Sequence, residues 1–254
     1  MSFTTGTDAY ARHVGRYGAS LAHALCDLAE VSAGNSALDV GCGPGVLLAE
    51  LASRLGADRV AGVDPSEPFV EAASLAVPGA DVRRAAAEEL PFSDESFDVV
   101  LSQLVVNFMS DAPRGVAEMA RVARRTVASC VWDYAGEMQM LRVFWDAALE
   151  LHPDAPDEGK TMRWCTRGEL AELWQAAGLI EVETGQIDVV AHYDDFDDYW
   201  LPLTSGIGPS GVYCASLDEM RREAFRQACF RRLGSPAGSF RLMARAWWVR
   251  GERP

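Results

Sequence analysis

The 254-residue sequence contains no uninterrupted apolar run of the roughly 18 residues that a membrane-crossing helix needs, and no membrane partner is expected. Its opening stretch, MSFTTGTDAY, lacks the basic and apolar regions of a secretory signal, so a cytoplasmic location is expected. Positive charge is scarce. Lys and Arg number 23 against 37 Asp and Glu, a formal charge of −14 whose field repels phosphate backbones, so no nucleic-acid partner is expected. Six cysteines (Cys26, Cys42, Cys130, Cys165, Cys214 and Cys229) occur without any CxxC pair. That spacing suits neither a zinc site nor a disulfide framework; the thiols are expected to be reduced and mostly buried, and no metal is expected. Internal repeats and low-complexity tracts are absent too.

What is present suits one folded soluble domain spanning 1–254, with 49% hydrophobic residues and length enough for an ample core. The chain is organised around Ala37-Leu-Asp-Val-Gly-Cys-Gly-Pro-Gly45 and the apolar helical run from Val46 to Leu55. A short apolar strand runs into glycines at alternating positions and then into a helix. Backbone without side chains lets a ligand approach its N–H groups, so a nucleotide-like ligand is expected there. A second strand over 59–63 ends in Asp64, about 20 residues beyond the glycines, where βαβ folds place a carboxylate for ribose hydroxyls. Helix capping is the alternative role for Asp64.

Further strands are predicted over 81–86, 97–102 and 126–132, with a helix from Asp111 to Arg125 between the last two. Five strands alternating with helices imply an α/β, Rossmann-like, doubly wound sheet, because each crossover returns right-handedly in the same direction. Later strands over 179–190 and 240–249 bring the sheet to seven, and the resemblance given below implies that it is mostly parallel with an antiparallel last strand. A helix is predicted over 8–31 from its three-or-four apolar spacing, packing on the sheet edge or, as the resemblance of its Gly-Arg-Tyr segment implies, acting as a lid. Two long connections, 134–165 and 191–239, are predicted to form a small cap, the second containing a Gly/Pro-rich turn over 206–211 and a helix over 216–233. Such loops follow the carboxyl ends of strands, where ligands bind.

LDVGCGPG, then VDPS, then AEELPFSDESFDVVLS resemble, in order and separation, the class I S-adenosylmethionine-dependent methyltransferases. VGRYGASLA, CVWDY and DFDDYWLP are similar to a subgroup of bacterial small-molecule methyltransferases. An NAD-dependent dehydrogenase is the competing reading of a glycine-rich βαβ unit, but Gly41-Cys-Gly43-Pro-Gly45 misses the GxGxxG spacing by one residue. The resemblance implies S-adenosylmethionine as cofactor, S-adenosylhomocysteine as product and a small-molecule substrate; it leaves the oligomeric state open. Carried onto this chain, it has Asp39, Gly41 and Gly43 shaping the pocket for the methionine portion and Asp64 taking the ribose hydroxyls. Pro65 or Ser66 would sit against the adenine, and Ala87 and Glu88 would recognise its edge. The position four before Leu90, often Asp in the family, is Ala86, so Glu88 is the substitute acceptor. Ser102 and Gln103 would contact the methionine portion. Arg16, whose fork can bind a carboxylate bidentately, is the candidate for the methionine carboxylate, with Tyr17 beside it.

The implied reaction moves a methyl group to an O, N, S or C nucleophile, and alignment can supply about 7–11 kcal/mol of its barrier. A general base is optional; Asp133, His152 and His192 are the candidates. Substrate contacts are expected from Asn107, Phe108, Trp132, Tyr134, Arg163, Trp164, Tyr193, Phe196, Tyr199 and Trp200, although cap aromatics serve equally as a small core. The Asp194–Asp198 acidic cluster reads either as a receptor for a cationic substrate or as a helix-capping turn. Two other functions stay open: a non-catalytic S-adenosylmethionine-binding protein, and a family member that transfers a different group.

Overall fold

Strand formation in this chain follows its apolar runs. A computed structural model describes residues 15–206 and 208–254. β1 (Ala37–Val40), β2 (Val60–Asp64), β3 (Asp81–Arg84), β4 (Phe97–Gln103) and β5 (Ala123–Trp132) alternate with α1 (Gly18–Leu28), α2 (Val46–Leu55), α3 (Glu67–Ala76) and α4 (Ala112–Val122). β1 and β2 are buried along their whole length, as strands covered on both faces must be. With β6 (Ile180–Tyr193) and β7 (Phe240–Glu252) they form one seven-stranded sheet in the order β3-β2-β1-β4-β5-β7-β6. β1 pairs in parallel with both β2 and β4, β2 with β3, and β4 with β5, whereas β7 runs antiparallel to β5. The strand order turns back at β1, between β2 and β4. The crossovers leave to opposite sides there, which is where such sheets open a crevice at their carboxyl ends.

The remaining elements are α5 (Gln139–Leu151), α6 (Glu158–Thr161), α7 (Arg167–Ala176), α8 (Phe196–Leu203), α9 (Gly208–Ser216) and α10 (Glu219–Arg232). The chain divides into two compact units. A sheet unit comprises Gly18–Trp132, Arg163–Ile187 and Ala246–Pro254; a helical unit comprises, of the described residues, 15–17, Asp133–Met162 and Asp188–Arg245. Each has its own core. In the sheet unit Leu38, Val40, Val63, Val100, Val127 and Trp174 pack in one buried cluster, and the Trp174 indole donates to the Val127 carbonyl at 2.9 Å. In the helical unit Phe144 and Phe225 meet edge-on at 4.7 Å, with Trp145, Trp200 and Tyr213 around them. All six cysteines are buried free thiols, and among the described residues no helix is long and apolar enough to cross a membrane.

Several element bounds differ from the sequence reading. α4 stops at Val122, three residues short of Arg125, because β5 takes up its register against Phe97 already at Ala123. β6 continues through Tyr193 and β7 through Glu252, each longer than its apolar run, since Glu252 still pairs with Thr126. The Gly/Pro-rich stretch expected as a turn becomes α9 from Gly208, where Pro209 occupies a first-turn position that needs no N–H. α10 begins at Glu219 because Asp218 caps it by accepting from the Arg221 amide. Of the expected lid helix, Gly18–Leu28 is α-helical and Gly15–Tyr17 is a single 3₁₀ turn, whereas 8–14 lies outside the described residues.

The helical unit also contains a buried charge network. Asp157 and Glu158 are each 4% exposed. Arg142 is bidentate to Asp157 at 2.8 and 3.1 Å, and it also binds Asp146 and the Tyr134 carbonyl. Two carboxylates share this guanidinium, and a third, Glu158, lies beside them outside its grip. The surplus falls on Glu158, which accepts from the Trp145 indole at 3.0 Å. Burial pushes its carboxyl up to about 7, an effect that the Trp145 donor opposes and Asp157 reinforces. A carboxyl raised in the folded state stabilises it fully only below its unfolded value, so stability falls as the pH rises from that value through about 7. Glu158→Gln keeps an acceptor for Trp145 without the charge. It is expected to flatten this decline in thermal melts across the same range; a variant whose melting temperature tracks the wild type at every pH would contradict the assignment.

Candidate functional site

At the carboxyl end of β1 the chain turns sharply, and the Gly41 and Cys42 amides both donate to the Val63 carbonyl of β2, at 2.8 and 2.9 Å. The turn requires glycine. Gly41 has φ +75°, and a Cβ there would lie 2.5 Å from Cγ2 of Val105. Gly41→Ala is therefore expected to cost about 2–4 kcal/mol from overpacking and left-handed strain together. Chemical denaturation measures this, and an unmoved midpoint would show that Val105 yields freely. Gly43 differs in having open space where its Cβ would be, with nothing within 4 Å.

Two carboxylates flank this turn. Asp64, at the tip of β2 and 7% exposed, accepts from the Gly43 amide through Oδ2 at 3.0 Å and from the Ser66 amide through Oδ1 at 2.9 Å. Burial raises its proton affinity, while the two N–H donors counter that rise and hold both oxygens in one orientation. Asp39, on β1 and 1% exposed, has no hydrogen-bond partner of acceptable geometry on either oxygen, and the nearby Leu48 N–H only partly offsets its burial. Burial, then the charge of Asp64, push its carboxyl up to about 8. Buried polar groups are nearly always satisfied, so an orphaned carboxyl beside an open glycine turn stands out as a candidate ligand contact.

The other residues expected at the cofactor are also in the sheet unit, apart from Arg16 and Tyr17. Gln103, ending β4, donates through Nε2 to the Gly18 carbonyl at 3.2 Å and keeps a buried Oε1 without a hydrogen-bond partner. Ser102 faces its neighbouring strand, donating to the Ser129 hydroxyl at 2.8 Å, and is fully buried. Pro65 follows Asp64, and its carbonyl accepts from Arg84. Ala87 packs in the main core, and Glu88 accepts from the Ser110 hydroxyl at 2.8 Å and the Asp111 amide at 3.0 Å. Asn107 and Phe108 lie on a 3₁₀ turn, Phe108 exposed; Trp132 is buried at the end of β5. Arg163 stacks over Trp164, its cation 4.8 Å from the ring.

The helical unit contains the rest. Arg16 is bidentate to Asp198 at 2.9 and 3.1 Å, donates to the His192 carbonyl at 2.8 Å and lies 4.1 Å over the Tyr193 ring. The Tyr17 and Tyr193 hydroxyls are 3.1 Å apart. Tyr193, Phe196, Tyr199 and Trp200 are all buried; Tyr193 stacks on Phe240, and the Tyr199 hydroxyl donates to the Met140 carbonyl. Asp133 accepts from the Gly136 and Glu137 amides, closing the turn that contains Tyr134. His152 Nδ1 is 2.9 Å from the Tyr213 hydroxyl, and the His192 side chain is exposed. In the acidic cluster Asp195 caps α8, Asp197 binds Arg226 and Asp198 binds Arg16. Sequence reasoning did not find the Arg142 network or the role of Val105. No local signal marks either, since each depends on which side chain arrives from elsewhere.

A Rossmann-like sheet with paired acidic groups at its turning point is the arrangement in which nucleotide-type ligands are held at the carboxyl ends of the strands in other proteins. The methyltransferase-domain family matches residues 38–128, from β1 into β5. Among curated relatives, a ubiquinone biosynthesis O-methyltransferase of Mesorhizobium japonicum is 43% identical over 91 residues, 34% of this chain and 36% of that protein. Nocamycin O-methyltransferase of Saccharothrix syringae is 36% identical over 110 residues, 41% of this chain and 39% of that protein. The chain thus spans little more than a third of the length of these relatives. The YcgJ protein of Bacillus subtilis shares the fold with a TM-score of 0.58 at 17% identity, covering 92% of this chain and 98% of that one. The [4+2]-cyclase SpnF shares it with a TM-score of 0.57 at 18% identity, covering 92% and 81%. Over residues 38–128 the chain is thus similar to the methyltransferase-domain family, in keeping with the resemblance of its glycine turn and strand-end motifs.

Proposed function

We propose that this protein is an S-adenosylmethionine-dependent methyltransferase acting on an O, N, S or C nucleophile of a small organic molecule. The observation that carries the reading is the Asp64 carboxylate, held by the Gly43 and Ser66 amides beside the orphaned Asp39. These residues fit the cofactor: an oriented carboxylate for a diol, an unpartnered one for a cation, and an open Gly43 between. S-adenosylmethionine, when bound, supplies a methyl group already activated on a sulfonium. The chain's own part is to bind and orient: Asp64 accepts from the ribose hydroxyls, Asp39 and the Gln103 amide face the methionine portion, and Pro65, Ser66, Ala87 and Glu88 border the adenine. For Arg16 to take the methionine carboxylate it must exchange Asp198 for it. Selection of the acceptor is assigned to segments 134–165 and 191–239, and Asp133, His152 and His192 stand as candidate bases.

Oxygen is the first nucleophile to test, because two relatives over the matched segment are O-methyltransferases. Calorimetry with S-adenosylhomocysteine tests the cofactor half. Incubation of phenolic, amine and thiol acceptors with methyl-deuterated S-adenosylmethionine, followed by mass spectrometry, tests the transfer. Binding without any deuteromethyl product across acceptor classes would favour a non-methylating role, for which the shared fold of a [4+2]-cyclase is the motive.

A further inference from the structure

Asp39 is an acidic group in an unusual position for a resting protein. It is buried on β1, and neither oxygen has a hydrogen-bond partner of acceptable geometry. The groups facing it are Asp64 from β2 and the thiols of Cys26 on α1, Cys42 in the glycine turn and Cys130 on β5. Burial keeps all three thiols protonated well above neutrality. Among the described residues no guanidinium, ammonium or imidazole acts on Asp39, and the Leu48 N–H, which opposes the rise less than burial and Asp64 drive it, is its one donor. A charge so placed is intolerable without a partner, and the remedy open to a carboxylate is to take a proton. Asp64 need not do so, since two amides hold its charge.

We infer that Asp39 carries a proton in the ligand-free protein at neutral pH and releases it when a cationic group of the ligand is set against it, so that cofactor capture expels one proton and tightens as the pH rises. This rests on the cofactor reading above. In the step, the carboxyl O–H bond breaks, its electron pair stays on the carboxylate oxygen and the proton passes to the buffer, with no other reactant. Three ligands separate the possible cations. S-adenosylmethionine carries a sulfonium and an ammonium, S-adenosylhomocysteine only the ammonium, and 5′-methylthioadenosine neither, although it keeps the ribose that Asp64 would bind.

Infrared spectroscopy of the ligand-free wild type and of Asp39→Asn, both near neutral pH, reads the first half directly. A carboxylic-acid C=O band in the wild type that the variant lacks is expected, and its absence from the wild type overturns the inference. Calorimetry in phosphate and in imidazole, whose ionisation heats differ, reads the second half. With Asp39 titrating near 8, S-adenosylhomocysteine is expected to release close to one proton at about pH 6.5 and to bind about tenfold more tightly at pH 8. 5′-Methylthioadenosine should bind with no release, and so should S-adenosylhomocysteine to Asp39→Asn, more weakly. Heats that do not depend on the buffer, or equal release from 5′-methylthioadenosine, overturn the inference while leaving the cofactor reading intact. The infrared band without any binding of S-adenosylhomocysteine overturns the cofactor reading instead.

Discussion

Asp64→Ala is expected to weaken S-adenosylhomocysteine binding by roughly two to four orders of magnitude, because two charge-assisted bonds to the ribose hydroxyls, each about 1.5–3 kcal/mol, are lost together. The magnitude depends on preorganisation. The carboxylate is already held by the Gly43 and Ser66 amides, so little ordering remains to be done when the ligand arrives. Alanine also leaves those amides to find water in a place that is 7% exposed. Asp64→Asn separates the contributions, since its amide nitrogen must point at one backbone donor and only one acceptor survives. Binding isotherms measure the loss, with thermal melts of both variants as the control for folding. Affinity that stays within a factor of two in the alanine variant would remove Asp64 from the ribose.

Arg142→Ala is expected to cost about 3–5 kcal/mol of stability, the penalty for leaving a buried charge without its partner. Asp157 is the charge in question, buried and gripped in a two-bond fork. Asp146, 44% exposed, contributes little to that figure because water screens it. The Glu158 carboxyl beside Asp157 aggravates the loss, since removal of the guanidinium takes away the cation that moderates both. An Arg142→Met/Asp157→Leu double variant should recover much of the stability, as replacing both members of a buried pair by apolar groups is often close to neutral. Urea unfolding of the single and double variants makes the comparison. A single-variant loss below about 1 kcal/mol would mean that water reaches Asp157.

Local chemistry made the sheet unit readable. Glycines at 41, 43 and 45, a carboxylate two residues ahead of them and another at the next strand end are signals within one βαβ unit, and β1 appears with the bounds its apolar run implies. The strand alternation also sufficed for the five parallel strands β1–β5, because a right-handed crossover leaves few alternatives. Element ends were less legible. β5 begins at Ala123, inside a run with good helix character, because its partner Phe97 sets the register and pairing outweighs propensity.

The sequence by itself determined the fold, the position of the glycine turn and the two carboxylates beside it, since these follow from apolar periodicity and from residues close together in the chain. Tertiary structure alone decided what each polar group finds when it gets there. Arg16 meets Asp198 across 182 residues, and the cap aromatics that read equally well as substrate contacts turn inward as a core. Gly41 owes its necessity to Val105 as well as to its own φ. Asp39 is notable for the partner it does not find, a property invisible in a one-dimensional pattern. Hydrogen bonding, burial and proton affinity depend on neighbours within a few ångströms, and the folded chain chooses those neighbours from any distance along the sequence.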